Sequence, residues 1–568
     1  MRKYLIILIL PITLFSSQIN TFSQDIQNFD LREDEESQQI TEYYDSIIPV
    51  LMKEQSIPAL SIALVDREGI VWSNCFGHIG TDTPNTPETM FSIQSISKTY
   101  TSTAIMMAVG AGLVTLDTPV SEYIPDFIVK SYFDKDPMDI ITLRHLLSHT
   151  AGLAHEAPIG NNYTYDTPSF EEHVNSIQQT YLRYPVGERY SYSNLGLDLA
   201  AYILQVVSGK PFHQYLQEQL FDPLGMKHST ANPEVLLTTN NRAAGHSRRG
   251  VEKRIIVPMM GAGGVYSSVD DMAKFIQFHL NLGEIEGKSM LEPSILEEMY
   301  RVPFPVKGQT GGYALGIDTY EKYNSLFLNH SGGGYGYLAD MAWYREDGIG
   351  IVVLTNSVSH SLQASLYHEI FDKLIQAKIT KGNLRSEIPD IQELDLSEEH
   401  MRKLSGNYVG RFGPMQVGIY EGSMGIESPG GFTPLIFYAD DEAMMPAEGY
   451  NDYYRFICDE QGKPDYIVKL NGGITWDYND GSEDEKGPDN PYWEMYLGNY
   501  GVFIGGNPVA RAQIEKKNGY LYVSYMNQSD RLEEIEPGIF MSARGEILQF
   551  GKEITFASLF ELVRTVQE

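Results

Sequence analysis

Cysteine is nearly missing: Cys75 and Cys458 are the only two in 568 residues. Neither a disulfide framework nor a thiolate metal site can be built from them, so packing must hold the fold. They lie far apart, in what read as different domains, which argues against a bridge between them. Positive charge is also scarce, with 42 Lys and Arg against 75 Asp and Glu and a formal net charge of −33. Such a surface repels nucleic acid and anionic membrane, so neither is expected as a partner. Beyond the N-terminal segment no apolar run is long enough for a membrane helix, and there is no low-complexity tract. What remains is globular in composition, 42% hydrophobic and 11% aromatic, and its length predicts two or three domains.

The first residues carry a basic start (Arg2, Lys3), the apolar run Tyr4 to Phe15, and small residues Thr21 and Ser23 ahead of Gln24. This is the layout of a secretory signal peptide over residues 1–23, too short to span a bilayer comfortably. It predicts a secreted or periplasmic protein with no transmembrane helix after cleavage. No cysteine stands there to take a lipid anchor. Residues 24–37 are polar and acidic and are expected to be disordered. The acidic runs Asp30–Glu36, Glu393–Glu399 and Asp477–Asp489 read as solvated tail or linker rather than as cation sites.

Apolar spacing predicts a helix over Ile40–Met52, then strands Leu60–Val65 and Ile70–Cys75 joined by a turn at Asp66–Gly69. Strand patterns return at Tyr337–Tyr344 and Gly348–Thr355. Helical patterns fill the interval at Lys98–Ala111, Leu143–Ser148, Leu195–Ser208 and Val269–Leu282, and Leu362–Ala377 reads as a closing helix. Ser268 and Asp271 mark a capping-box start, and Gly209 suits a helix end. Strands from both ends with helices between them predict one α/β domain over 24–385, an antiparallel sheet flanked by helices and carrying a helical subdomain. Past residue 385 helical periodicity fades. Leu404-Ser-Gly-Asn-Tyr408 recurs as Tyr496-Leu-Gly-Asn-Tyr500, with a linker expected over Asp477–Pro491 between them. Two all-β, barrel-like modules are predicted, 386–490 and 491–568.

Three segments can carry chemistry. In Phe91-Ser-Ile-Gln-Ser95-Ile-Ser-Lys98, the serine and lysine lie one helical turn apart, so the amine can reach a hydroxyl that is inert without a base. The helix N-terminus adds positive potential where an oxyanion would form. Tyr192-Ser-Asn194 supplies a phenol able to relay a proton and an amide able to hold a substrate carbonyl. His330-Ser-Gly332-Gly333-Gly334 places glycines where a substrate could lie against a strand edge and meet a backbone N–H. Taken singly, these are equally a capping serine, a helix cap and a glycine-rich hairpin. His145 and His149 stand at helical i, i+4 spacing, but no glutamate lies between them for metalloprotease chemistry. Both are explained as packed or capping residues, and neither a metal nor a cofactor is expected.

In their order and spacing these motifs resemble the serine β-lactamase and penicillin-binding superfamily, in its class C-like branch of esterases and D-aminopeptidase-like hydrolases. The resemblance covers roughly 40–378 and includes Ile141-Thr-Leu-Arg-His-Leu-Leu-Ser-His-Thr-Ala-Gly-Leu153, Phe221-Asp-Pro-Leu-Gly-Met226 and Gly263-Gly-Val-Tyr-Ser-Ser268. It implies that Ser95 is acylated, that Lys98 and Tyr192 handle its proton as a coupled pair, and that Asn194 orients substrate and Lys98. The backbone N–H groups of Ser95 and Gly333 would form the oxyanion hole, with Gly332 beside them. His330 stands where many relatives carry lysine, which weakens the positive charge that meets a substrate carboxylate. The expected activity is hydrolysis of an amide or ester, in a cell-wall or D-amino-acid peptide or a small ester. A penicillin-binding or wall-binding protein with little turnover, or a true β-lactamase, are the alternatives. The D-aminopeptidases share a layout of catalytic domain plus two β-barrels, which implies that a loop from 420–490 narrows the pocket.

Overall fold

The computed structural model describes residues 31–565, apart from 306–310, 381–392, 480–486 and scattered stretches of one to three residues. The expected signal segment lies outside the described residues. In chain order the elements that position the site are α1 (Glu35–Glu54), β1 (Ala59–Asp66), β2 (Gly69–Gly77), α2 (Ser97–Gly110), α3 (Asn194–Ser208), α4 (Met260–Gly263) and α5 (Val269–Leu280). They continue as β3 (Gly312–Tyr313), β4 (Asp318–Lys322), β5 (Ser325–Gly334), β6 (Tyr337–Tyr344), β7 (Ile349–Thr355) and α6 (Leu362–Thr380).

The seven strands form one antiparallel sheet in the order β2-β1-β7-β6-β5-β4-β3. Its centre is buried on both faces, which is why β1 and β7 read as unbroken apolar runs rather than alternating ones. On β1, Leu60, Ile62 and Leu64 enter one core cluster with α1 and α6, while Ala59, Ala63 and Val65 enter the other with the helical subdomain. This is the period-2 geometry of a strand. The Asp66–Gly69 turn closes as the sequence suggests, with Asp66 Oδ1 accepting from the Glu68 and Gly69 N–H groups. Ser268 accepts from the Asp271 N–H at the start of α5. The reciprocal half of the expected capping box is absent, because the Asp271 carboxylate turns to the His228 N–H and the Ser229 hydroxyl. Gly209 ends α3 in the left-handed region at φ 66°.

Two expectations are corrected here. Residues 35–37, expected to be disordered, open α1, because Asp34 caps it by accepting from the Ser37 N–H. Asp477–Asn479, expected as linker, pair with Asn407–Val409 and belong to a strand.

Beyond α6, nine strands between Gly406 and Asn479 form a single sheet. Its two outermost strands, Gly431–Pro434 and Ile436–Phe437, are separated by one residue in sequence, so the sheet must curl to bring its edges together. Eight strands between Gly498 and Arg564 close into a barrel. The five-residue echo takes the same local structure twice. Tyr408 donates to the Leu404 carbonyl at 2.6 Å and Tyr500 to the Tyr496 carbonyl at 2.5 Å. Gly406 and Gly498 hold φ of 154° and 147°, which favours glycine at both. Both modules touch the part of the chain that carries the seven-stranded sheet, through the Leu470 carbonyl accepting from the Gly311 N–H and through an Arg183–Glu546 ion pair. Cys75 and Cys458 are free and lie on strands of different sheets.

Candidate active site

The chain reaches Ser95 through a short strand, Phe91–Ser92, paired with Tyr266–Ser267. Gln94 then takes a left-handed φ of 49°, an uncommon and strained conformation for a non-glycine residue. It swings the chain into a 3-10 turn, Gln94–Ile96, that runs into α2. Residues 97 to 106 of α2 are all buried, as expected for a helix running through a core. Lys98 is fully buried among them. Its Nζ donates to Ser95 Oγ at 3.1 Å and to the Ala262 carbonyl at 2.8 Å. Both acceptors are neutral, and among the described residues no carboxylate pairs with it.

Tyr192 also donates to Ser95 Oγ, at 3.1 Å. The Lys98 ammonium lies 4.9 Å from the centre of its ring. Ser95 Oγ therefore stands between an amine and a phenol at equal distance, either of which accepts its proton once deprotonated. The neighbouring Ser193 caps α3 by accepting from the Gly196 N–H, and donates to the Ala154 carbonyl at 2.5 Å.

Asn194 does not meet Lys98. Its Nδ2 donates to Glu156 Oε1 at 2.8 Å, so its link to the lysine, implied by the resemblance, is replaced by a link to a buried carboxylate. His330, on β5, meets neither Ser95 nor Lys98 through a hydrogen bond. The Tyr313 hydroxyl lies 3.0 Å from its Nε2, and its Nδ1 lies 2.8 Å from the Ser331 carbonyl. The carbonyl can only accept, so Nδ1 carries the proton and the tyrosine donates to Nε2. Burial, then the charge of Lys98, push the His330 pKa down to about 3. A neutral imidazole thus occupies this strand.

Gly332 explains how β5 reaches Ser95. A Cβ there would lie 2.1 Å from the Ile93 carbonyl oxygen, so glycine alone lets the strand press against the backbone leading to Ser95. Gly333 has more room, the nearest atom to a Cβ being Leu338 Cδ2 at 3.1 Å. Tyr335 and Gly336, both at positive φ, make the two-residue turn into β6, as primed hairpin turns require.

The family model for Beta-lactamase matches residues 44–374, more than half of the chain. The chain belongs to the beta-lactamase family. Its members are generally serine hydrolases. Beta-lactamase-like protein 4 of Dictyostelium discoideum is 26% identical over 334 residues, covering 54% of this chain and 58% of that protein. The match thus spans little more than half of that relative. D-alanyl-D-alanine-carboxypeptidase/endopeptidase AmpH of Escherichia coli strain K12 is 28% identical over 282 residues, 48% of this chain and 72% of its own length. The octameric penicillin-binding protein homologue from Pyrococcus abyssi shares the fold, with a TM-score of 0.50 at 23% identity over 77% of this chain and 99% of that chain.

Several residues around Ser95 were missed by the sequence reading. Glu156 is 4% exposed and accepts from Asn162 and Asn194, with His155 Nδ1 at 3.2 Å. Burial raises its pKa, but the His155 interaction and the two amide bonds outweigh that and hold it below the ordinary carboxylate value. Half-exposed His155 faces the Tyr192 ring at 5.7 Å. His149 is also placed differently from expectation. The helix ends at Leu147 and His149 takes a φ of 59°, so it does not share a helix face with His145. Its ring packs 4.3 Å from Tyr192 and 4.4 Å from Tyr313, and its Nδ1 accepts from the Ser193 N–H. His145 instead completes a capping box with Thr142. Among the described residues no cluster of His, Cys, Asp and Glu is arranged to hold a metal, and no helix is long and apolar enough to cross a membrane.

A cavity of about 380 Å³ opens beside this group of rings, between Tyr190, Phe304 and Tyr313 on one side and Asp465 and Tyr466 of the nine-stranded sheet on the other.

Proposed function

We propose that this chain is an exported serine hydrolase that forms a Ser95 acyl-enzyme and hydrolyses an amide or ester. The observation that carries the reading is the pair of 3.1 Å contacts that Lys98 Nζ and Tyr192 Oη make with Ser95 Oγ. In the forward step Ser95 Oγ attacks the substrate carbonyl, and its proton passes to the Lys98–Tyr192 pair. The developing oxyanion is held by the backbone N–H groups of Ser95 and Gly333. The proton then goes to the leaving amine or alcohol, and water reverses the sequence on the acyl-enzyme.

The substrate class we propose is a D-amino-acid or cell-wall peptide, or a small ester. The neutral His330 supports it, because a fixed cation to greet a substrate carboxylate is absent from that position. Substrates recognised by a terminal carboxylate, β-lactams included, are disfavoured accordingly. Asp465 and Tyr466 beside the Tyr313 wall support a role for the first module in substrate length preference. The N-terminal basic-then-apolar segment supports export. The test is labelling by an acylating probe, followed by peptide mapping. An adduct at Ser95 that vanishes in a folded Ser95→Ala variant is the expected result, and labelling that survives the substitution overturns the assignment. Turnover of a nitrophenyl ester beyond one equivalent separates a catalyst from an acyl-trapping receptor.

A further inference from the structure

A buried ion pair lies one layer behind Lys98, and the mechanism above does not use it. His173 and Asp198 both have fully buried side chains, with His173 Nε2 3.0 Å from Asp198 Oδ2. The other imidazole nitrogen, Nδ1, lies 2.8 Å from the Ile159 carbonyl. Since a carbonyl and a carboxylate can only accept here, both ring nitrogens carry protons and the ring is an imidazolium. Burial pulls the His173 pKa down, but the Asp198 bond and charge outweigh it and hold it above the ordinary value. The second carboxylate oxygen, Asp198 Oδ1, accepts from the Gly261 N–H at 2.9 Å and the Ala262 N–H at 3.0 Å.

These two N–H groups belong to the turn whose next acceptor is the Ala262 carbonyl, the one that holds Lys98 Nζ at 2.8 Å. The turn is fixed from a second side as well. Thr101, one turn beyond Lys98 on α2, donates to the Gly261 carbonyl at 2.7 Å. The backbone can come this close to α3 only because residue 261 is glycine, where a Cβ would lie 2.6 Å from both the Ala201 Cβ and the Leu197 oxygen. Replacing such a pair by apolar residues of similar volume is often neutral or stabilising, so stability alone is weak grounds for its presence. Every polar atom of this pair is committed, and the chain of contacts ends on the amine that faces Ser95.

We propose that the His173–Asp198 pair is a positioning device for Lys98, acting through the Gly261–Ala262 turn to aim its amine at the Ser95 hydroxyl. The inference rests on the reading of Ser95 as nucleophile, yet it concerns the location of Lys98 and can be read without turnover. Asp198→Asn keeps the shape and removes the charge, and His173→Gln removes the cation.

Each is made in the wild-type background and in Lys98→Met, with thermal melts to verify folding. Two readouts are taken. The first is the rate of Ser95 modification by a fluorophosphonate probe, followed by intact mass. The second is the ¹³Cε resonance of Lys98, assigned by its disappearance in Lys98→Met. The expected result is a drop of about tenfold or more in labelling rate in the wild-type background, no further drop in Lys98→Met, and a displaced Lys98 resonance. An equal drop in both backgrounds, or an unmoved resonance in folded variants, overturns the proposal. If wild-type protein gives no Ser95 adduct, it is the acyl-enzyme reading that fails, and the resonance still decides the positioning role. Should Asp198→Asn fail to fold, His173→Gln carries the same comparison.

Discussion

Tyr313 donates its hydroxyl proton to His330 Nε2 across 3.0 Å, and that bond, with the Nδ1 proton directed at the Ser331 carbonyl, fixes a neutral imidazole on β5. With a pKa near 3, His330 does not change charge during activity at ordinary pH. His330→Gln is therefore expected to lower ester hydrolysis a few-fold while leaving the shape of the pH–activity profile between about pH 5 and 8 unchanged. Disappearance of a limb from that profile would show that the imidazole titrates during turnover.

Stability against acid has a definite sign. His279 and His330 are buried and both pushed down to about 3, against an unfolded value near 6.5. Between those values the unfolded chain takes up protons that the folded chain refuses, so stability falls as pH drops through this window. Each histidine contributes up to about 1.4 kcal/mol per pH unit there. Asp340 acts oppositely. Burial raises it to about 7 against the Ser331 and Gln363 hydrogen bonds, so the folded state binds its proton first, and its contribution is lost as pH rises through 7. Melting temperature measured from about pH 7 to 4 should fall, and Asp340→Asn should make the fall steeper.

Two adjacent glycines should differ sharply. A Cβ at 332 meets the Ile93 backbone oxygen, whereas at 333 it meets the movable end of Leu338. Gly332→Ala is expected to displace β5 and cut Ser95 labelling by about a hundredfold, with Gly333→Ala within about tenfold of wild type. Comparable losses in both would remove the close-approach argument.

Glu156→Gln keeps an acceptor for Asn194 and removes the buried charge. A loss on the order of tenfold in kcat is expected, with a small shift in melting temperature. Glu156→Ala strands the donors of Asn162 and Asn194 and should cost about 1–3 kcal/mol of stability as well. Calorimetry and steady-state kinetics on both variants separate the two effects.

The first β-module can be tested at its cavity-lining residues. Tyr466→Ala and Asp465→Ala should alter the ratio of rates on long and short peptide amides by about tenfold and leave a short nitrophenyl ester within about twofold. An unchanged ratio would dispose of a role in length preference.

The Ser95–Lys98 relation was legible because one helical turn is a local geometry, and the order of motifs pointed to Tyr192 and Gly332. Part of the sheet was legible, because β1 and β7, buried on both faces, leave continuous apolar runs, whereas β3, β4 and β5 carry no such run and went unread. What escaped is tertiary. Glu156 meets Asn194, and His173 meets Asp198, across separations of 38 and 25 residues, and no spacing rule links them. His149 was misplaced because its left-handed φ takes it off the helix that its spacing from His145 suggested. Asp477–Asn479 looked like linker because acidic residues mask a strand whose partner lies about 70 residues earlier in the chain.

The Ala59 N–H donates to Asn356 Oδ1, 297 residues further along, and β1 hydrogen-bonds directly to β7. A chain emerging from the ribosome therefore lacks the central seam of its sheet until roughly residue 355 has been made. Contacts of such long separation form slowly. Ser95 is made early, yet the sheet beside it is joined across its middle only when β7 pairs with β1 on one side and β6 on the other.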